Sequence, residues 1–398
     1  MTRISTAQLF SNTLATLREK QSRLVEIQSA LASGKKINQA SDDPVGASRV
    51  LEARALNTRI EQYAKNMDTA EARLIQEESI LASAGENLNR ARELIVASVN
   101  AINDSEDLKI YGVEIQALLG DMLGLANTRD ANGEFIFAGT ASDIQPFGFS
   151  PTGSFAYFGN TDRRDANISD NRTVAMTDPG SAIFFDLLVG NGDFQANANP
   201  ANTGTGIVGE SSVFDPAAWT PDTYTVTFLD PDNYEVRDSG GGLVTTGVYQ
   251  DPARISFSGA EFELTGTPDA GDVFTVTPRS TQDIFTTYQD LSTALSTSVG
   301  LTDAARTNLI YRALENIDQA LIVNQNTRAD IGSRLQQIDD YRDLNERQQV
   351  QAAELVSRIE DLDYAQAISD FELQSTTLEA AQKTFLALQD LSLFRLLR

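Results

Sequence analysis

Two short motifs in this 398-residue sequence contain residue types that bind metals or phosphates. Asp230-Pro-Asp232-Asn-Tyr-Glu235 partly resembles a calcium-binding loop, but it lacks the glycine and the glutamate expected at the sixth and twelfth positions. The run Gly240-Gly241-Gly242 could cradle a phosphate, but no helix is predicted to follow these glycines. Both motifs are therefore more typical of turns between strands than of binding sites.

The composition removes the commonest catalytic groups from consideration. The sequence has no cysteine and no histidine, which excludes disulfides, thiolate nucleophiles, zinc sites of the Cys/His type and histidine general bases. Neighbouring acids such as Asp42 with Asp43, or Asp339 with Asp340, are typical of helix caps and solvated faces. We therefore predict no catalytic residue, no cofactor and no metal site. An acidic polysaccharide hydrolase whose carboxylates are brought together only by folding stays open as an alternative.

The charge is strongly negative and unevenly distributed. Lysine and arginine number 31 against 56 acidic residues, which gives a formal net charge of −25. Residues 1–40 carry six basic and two acidic groups, a net charge of +4, whereas residues 141–280 carry six and nineteen, a net charge of −13. A polyanionic body repels nucleic acids and anionic membranes, so we expect neither as a partner.

Both ends of the chain carry an apolar residue every seven positions. Such a heptad repeat predicts a seam along a helix that packs against another helix. We predict that these seams are loose in the monomer and become ordered when neighbouring subunits cover them, although an ordinary intramolecular core is the simpler interpretation. Gln21 and Gln28 are predicted to lie on the N-terminal seam. The candidate assembly interface consists of Phe10, Leu14, Leu17, Leu24, Leu31, Phe371, Leu378, Phe385 and Leu388.

Hydrophobic periodicity predicts long helices on both sides of a non-helical middle. Asp43 and Pro44 are a helix start signal, and Gly34 is a helix stop signal. A short strand is predicted over residues 134–139. The predicted helices cover residues 5–32, 44–103, 106–127, 284–297, 304–358 and 364–397.

Residues 141–280 are rich in Gly, Asp, Asn and Thr and show a period of two. Tyr224, Val226 and Phe228 alternate with threonines, which predicts a strand, and residues 234–249 predict a hairpin. Residues 190–212 are predicted to form an open loop. The predicted fold class is α+β: a long helical coiled-coil or bundle rod formed by both terminal segments, with an inserted all-β domain.

Three domains follow from this pattern. The first combines residues 1–40 with 360–398, the second combines residues 41–140 with 281–359, and the third is residues 141–280. No window is apolar enough to cross a membrane, and no cleaved secretory signal is recognisable. We therefore expect either a cytosolic protein or export by a route that does not read such a signal.

Five stretches of the sequence together resemble the flagellin-related axial proteins, and in particular the FlgL-type junction proteins. The stretch Asn127-Thr-Arg-Asp-Ala-Asn-Gly and the ending Leu391-Ser-Leu-Phe are more specific to the junction type, whereas the stretch that contains Ser41-Asp-Asp-Pro44 is shared with flagellin. The five stretches are Ile4–Phe10, Ser33–Ala47, Ala126–Thr140, Ser357–Ala365 and Leu391–Leu397.

This resemblance implies a flagellin-like fold with D0-like terminal helices, a D1-like rod and a D2-like outer β domain. It implies unfolded export by the flagellar type III apparatus, without a cleaved signal, to the extracellular flagellum. The implied role is a structural adaptor that links a FlgK-type hook-associated protein to the flagellin filament. The implied partners are that protein, flagellin, further copies of this chain in a ring or helical layer, and a FlgN-type export chaperone. The alternative is a flagellin that forms the filament itself.

Overall fold

The computed structural model describes residues 6–99, 105–297 and 301–394. Six α-helices lie within these ranges, each close to a predicted position. Three precede the β region and three follow it, so the predicted fold class is confirmed. The helices are α1 (Thr6–Ser33), α2 (Pro44–Ser98), α3 (Ser105–Ala126), α4 (Ile284–Ser296), α5 (Asp303–Glu360) and α6 (Tyr364–Phe394).

The predicted start and stop signals act as expected between α1 and α2. Gly34 has a φ angle of +72°, and its N–H donates to the Ala30 carbonyl, so it ends α1 in the left-handed conformation that glycine adopts readily. Asp43 Oδ1 accepts the Gly46 N–H at 2.9 Å and caps the start of α2. Asp42 Oδ2 accepts the N–H groups of Asn38 and Gln39 and closes the preceding turn.

Fourteen strands lie between α3 and α4 in the described ranges, and most belong to two antiparallel sheets. A five-stranded sheet has the order β10-β9-β8-β13-β6, and a three-stranded sheet has the order β11-β12-β7. Short pairs join β1 with β2, β3 with β4 and β5 with β14. The strands are β1 (Phe147–Phe149), β2 (Phe155–Tyr157), β3 (Asp165–Ser169), β4 (Arg172–Ala175), β5 (Leu187–Leu188), β6 (Phe194–Ala198), β7 (Ile207–Val213), β8 (Tyr224–Asp230), β9 (Asn233–Arg237), β10 (Leu243–Val248), β11 (Ala253–Phe257), β12 (Ala260–Thr265), β13 (Val273–Pro278) and β14 (Thr281–Gln282).

The two larger sheets share one core. Phe228 and Phe274 of the five-stranded sheet and Phe262 of the three-stranded sheet are fully buried in a single apolar cluster. Val226 lies opposite Val236 on β9 and Phe274 on β13, so the predicted alternation along β8 is confirmed. The two sheets therefore form a β-sandwich.

Two local predictions are wrong. The predicted open loop at residues 190–212 contains most of two strands. Strand β6 is an edge strand of the five-stranded sheet, and β7 is an edge strand of the three-stranded sheet. The apolar alternation is weak along β6 because Gln195 and Asn197 bind Asn316 and Arg312 of α5 instead of facing solvent. The predicted strand at residues 134–139 is only a single bridge, from Arg129 to Phe135, followed by turns.

The chain divides into two compact units. One contains Met1–Lys65 and Asp340–Arg398, and the other contains Asn66–Asp339. The first unit includes α1 and α6, and the second includes α3, α4 and the β-sandwich. The division into three domains stays a prediction.

Candidate functional site

The terminal helices α1 and α6 pack against each other. Lys35, just after α1, forms an antiparallel bridge with Asp361, just before α6, and the Leu362 N–H donates to the Gly34 carbonyl at 3.1 Å. Because the end of α1 meets the start of α6, the two helices run antiparallel. This pair contains every predicted interface residue.

The predicted seams lie largely where α1 and α6 meet. The seam residues with described side chains are all half-buried, whereas most of their helical neighbours are exposed. Phe10 and Leu388 belong to α1 and α6, but their side chains lie outside the described residues. Their role in an interface between subunits stays a prediction. The half-buried seam residues are Leu14, Leu17, Leu24, Leu31, Phe371, Leu378 and Phe385.

The polar positions on the seam differ from the predicted ones. Gln21 and Gln28 are exposed, and the half-buried residues beside them are Lys20 and Ile27, so their predicted placement is wrong. Leu17, Leu24 and Leu31 keep their predicted seam positions, and only the second set of heptad positions shifts by one residue, to Thr13, Lys20 and Ile27. The polar residue on α6 is Gln374, whose buried Oε1 accepts no hydrogen bond from the described residues. Such a group costs about 1–3 kcal/mol, so the isolated helix pair is weakly held.

Apolar residues also face away from this seam. Val25 on α1 and Leu373 on α6 are about 59% and 63% exposed, and Ile368 and Leu386 are also exposed. Helices that are apolar on several sides are normally buried on several sides. The heptad repeat did not predict Val25, Leu373 and Leu386 as surface residues. On α6, the apolar residues outside the heptad positions could have indicated this second apolar surface.

Glu360, the last residue of α5, forms ion pairs that connect the end of α5 to α2 and to the residue that follows α1. Its buried carboxylate binds Lys35 Nζ at 2.6 Å and also pairs with Arg54. The hydrogen bond from Lys35, followed by that from Arg54, lowers the pKa of Glu360 below its usual value. These charge-assisted bonds fix the start of the terminal helix pair.

Replacing Glu360 by alanine should lower the local free energy of unfolding by about 1–3 kcal/mol at pH 7. Because the folded state lowers the pKa of Glu360, its stabilisation is present above the ordinary value of 4.5 and is lost as the pH falls through the folded pKa. Amide exchange at residues 30–40, measured at several pH values, checks this expectation. Glu354→Ala, which removes an exposed carboxylate of the same helix, is the control. Equal effects of the two variants would contradict the assignment.

A buried charge cluster lies in the second unit. Asp178 accepts two hydrogen bonds from Arg334, at 2.7 and 3.0 Å, and one contact from Arg163 at 3.1 Å. The fully buried Glu77 accepts the Asp178 N–H at 3.1 Å, and its other oxygen has no hydrogen-bond partner among the described residues. Burial, with a further contribution from Asp178, raises the pKa of Glu77 to about 8. This cluster holds the segment around Asp178 against α2 and α5.

A cleft of about 470 Å³ beside β7 and α5 contains carboxylates of the kind that the hydrolase alternative requires. Burial raises the pKa of Glu315 there to about 7, and Glu315 accepts a hydrogen bond from Ser211. Asp318 of the same cleft pairs with Arg92 at 2.7 Å. Within the described ranges, no group of three or more acidic residues is placed to hold a metal ion.

The turn motifs are explained without ligands. Asp230 Oδ1 accepts the Asp232 N–H at 3.0 Å and closes the turn between β8 and β9, and Gly240–Gly242 form the turn between β9 and β10. Both interpretations as turns are confirmed. No helix within the described ranges combines the length and hydrophobicity needed to cross a bilayer.

Comparison with known proteins shows the class of protein to which the chain belongs. The sequence model of the bacterial flagellin N-terminal helical region matches residues 4–142. Flagellar hook-associated protein 3 of Escherichia coli is 24% identical over 395 residues, 99% of both chains. Flagellin of Listeria innocua is 29% identical over 141 residues, which is 35% of this chain and 49% of that flagellin. The chain is thus a flagellin-related protein of the flagellum.

The solved structure of the flagellar junction protein FlgL from Legionella pneumophila is 30% identical in sequence, with a TM-score of 0.72. The similarity covers 79% of this chain and 100% of the Legionella chain. This chain belongs to the FlgL family of flagellar hook-associated proteins.

Proposed function

We propose that this chain is the structural adaptor between the flagellar hook and the filament. The observation that carries the proposal is the extent of the similarity. Hook-associated protein 3 aligns with 99% of this chain, whereas the flagellin of Listeria innocua aligns with about a third of it. A filament-forming flagellin is therefore the weaker alternative.

The terminal helix pair is the proposed contact surface within the flagellum. Its seam contains the Gln374 amide oxygen, which has no hydrogen-bond partner among the described residues, and Val25 and Leu373 expose apolar area beyond that seam. Neighbouring subunits that cover this area would supply the burial that two helices alone lack. Opposite charges would favour contact between the N-terminal segment of one copy and the C-terminal segment of another. Residues 1–40 carry a net charge of +4, and residues 360–398 carry three basic and seven acidic groups.

The remaining assignments follow from the family and are part of the proposal. The chain is exported unfolded through the flagellar type III apparatus, with a FlgN-type chaperone, and acts outside the cell without catalysis. Its neighbours are a FlgK-type hook-associated protein, flagellin and further copies of this chain. The terminal helices form the inner tube, the long helices the next shell and the acidic β domain the outer surface.

Deleting the gene should leave cells with complete hooks that carry no filament. Flagellin is still made and exported in such cells, but nothing anchors it, so it is shed into the medium. Electron microscopy of the cells and immunoblots of the culture medium measure the two effects together. Expression of the wild-type chain from a plasmid is the control and should restore filaments. Filaments of normal length in the deletion strain would contradict the proposed function.

A further inference from the structure

Within the described ranges, the β-sandwich has an apolar core to which no helix contributes. This core extends from Phe194 on β6 to Val276 on β13. The chain reaches the sandwich through β5 and leaves it through β14, and these two short strands pair with each other. The sandwich is therefore a separate body on a two-stranded connection. Such bodies move relative to their neighbours unless a large apolar interface holds them.

The two-stranded connection contains a bulge with the features of a hinge. Residues 189–193 lie between β5 and β6, opposite residues 279–280 between β13 and β14. Gly190 and Gly192 in this bulge have φ angles of +63° and +92°, a region that glycine adopts readily. Hinges are short segments of this kind, in which a few backbone angles absorb the movement of a whole domain.

A stripe of polar residues on α5 holds the β-sandwich against the helices. Asn308 Oδ1 accepts the Val208 N–H at 2.8 Å. Asn316 Oδ1 accepts the Gly190 N–H and an amide hydrogen of Gln195, both at 3.1 Å. Successive members are mostly three or four residues apart, so they share one side of the helix. We call this set the polar seam, and its members are Asn308, Arg312, Glu315 and Asn316.

Glu315 is the member of the polar seam that ionisation would disturb. It is half-buried, accepts one hydrogen bond from the Ser211 hydroxyl at 3.3 Å, and forms no ion pair within the described ranges. The guanidinium of Arg312 donates to Asn197 of β6 at 2.8 Å instead. Burial raises the pKa of Glu315 to about 7, against the opposing effect of Arg312. An ionised carboxylate here would lack the partners that water supplies.

The charged groups around Glu315 do not favour its ionisation. Arg92 of α2 is already bound to Asp318, at 2.7 Å. Glu210 of β7 and Glu263 of β12 line the same cleft, and Arg254 lies 3.9 Å from Glu210. Acids therefore outnumber arginines around Glu315. The titratable groups that line this cleft or interact with Arg312 are Arg92, Glu210, Glu263, Asp290, Tyr311, Arg312 and Asp318.

We propose that the β-sandwich is a hinged arm, which swings away from α5 about the 189–193 bulge when Glu315 releases its proton to solvent. In the closed arrangement Glu315 is protonated and the polar seam is intact. In the open arrangement water solvates the carboxylate. Because the closed arrangement raises the pKa of Glu315, its advantage is complete below the ordinary value of 4.5 and declines as the pH rises to about 7. The hinge belongs to the chain alone, wherever the chain stands in the flagellum.

Single-molecule fluorescence energy transfer measures the swing, because the natural chain has no cysteine. Val248→Cys and Gly332→Cys accept the two dyes. Val248 is exposed on β10, and a Cβ at Gly332 of α5 would meet no atom within 4 Å. Strand β10 lies four strand spacings, about 19 Å, from β6, so opening displaces it strongly.

The purified full-length chain is measured at pH 5, 6, 7 and 8. We expect a single high-efficiency population at pH 5 and a second, low-efficiency population that grows with pH. The ratio of open to closed molecules should rise by at most about tenfold per pH unit up to pH 7 and then level off. A single population at every pH would overturn the proposal.

Two variants of the labelled chain separate the roles of Glu315 and the seam. Glu315→Gln keeps an acceptor for Ser211 but does not titrate, so it should stay closed at every pH, whereas the exposed Glu346→Gln should behave like the wild type. Asn316→Ala removes two seam hydrogen bonds and should open the arm even at pH 5. An unchanged pH response in Glu315→Gln, or a closed Asn316→Ala, would also overturn the proposal. Neither outcome bears on the proposed function, which the gene deletion tests.

Discussion

Replacing Leu24 or Phe385 by aspartate should abolish filament attachment while the rest of the chain stays folded. Both residues are half-buried where α1 and α6 meet. The substitution removes roughly 1.5–3 kcal/mol of apolar burial and places a carboxylate in the seam, where it has to be paired or hydrated. Since the isolated pair is already weakened by Gln374, this loss is large enough to separate the helices.

The measurement has two parts. Electron microscopy counts the hooks that carry filaments, and circular dichroism with amide exchange follows residues 44–350 in the purified monomer. Gln21→Asp is a matched control, because it puts the same charge on the same helix at an exposed position. It should leave filaments attached. Loss of helical signal across the whole chain in Leu24→Asp, or normal filaments in both seam variants, would contradict the assignment of the seam.

Replacing Glu77 by glutamine should remove part of the pH dependence of stability. Burial raises the pKa of Glu77 from 4.5 to about 8, so the folded state keeps a proton that the unfolded chain loses above pH 4.5. The contribution of Glu77 to the free energy of unfolding is therefore complete below pH 4.5. It declines as the pH rises towards 8, by at most about 1.4 kcal/mol per pH unit. Glutamine keeps the acceptor oxygen for the Asp178 N–H but does not titrate.

Urea denaturation at pH 6, 7 and 8 measures this effect. The difference in unfolding free energy between Glu77→Gln and the wild type should shift in favour of the variant by about 2 kcal/mol over that range. Because the comparison is a difference, the titration of Glu315, whose pKa is also raised, cancels. Glu78→Gln, which removes the neighbouring, partly exposed carboxylate that pairs with Arg328, is the control. Parallel pH curves for Glu77→Gln and the wild type would contradict the assignment.

Local patterns in the sequence predicted the helices and most of the β-sandwich correctly. The heptads predicted α1 and α6, and the alternation around Val226 predicted a strand, because one-sided burial leaves a regular apolar period. The same reasoning failed at β6, where Gln195 is buried but satisfied by Asn316. Polar residues are normally assigned to the surface, and the sequence does not show that a distant helix supplies an amide partner.

Buried hydrogen bonds between helices could not be predicted from the sequence either. Asn87 accepts a hydrogen bond from the hydroxyl of Tyr288 at 2.7 Å, and Asn324 donates to the Leu81 carbonyl at 3.0 Å. Each pair is separated by more than two hundred residues in the chain. Such bonds fix the register between helices that apolar stripes alone would leave free to slide.

The candidate site was predictable in outline but not in extent. The heptads correctly predicted that α1 and α6 pack lengthwise against another helix, and a one-residue error in the second set of seam positions on α1 misplaced Gln21 and Gln28. An exposed stripe on α3, formed by Ile110, Val113, Ala117, Gly120 and Gly124, has the same spacing as a core stripe. Only the exposure of Val113 and the empty space above Gly120 distinguish it from one.

We propose that the chain occupies the boundary between hook and filament and does not form the filament. The turn between β9 and β10 offers a place for an epitope tag, because Gly240–Gly242 are exposed and a Cβ at Gly241 would meet no atom within 4 Å. Immunogold electron microscopy of a tagged, motile strain then locates the chain directly. We expect gold in a single narrow band where the hook ends and the filament begins. Gold along the whole filament would contradict the adaptor function and establish the chain as a flagellin.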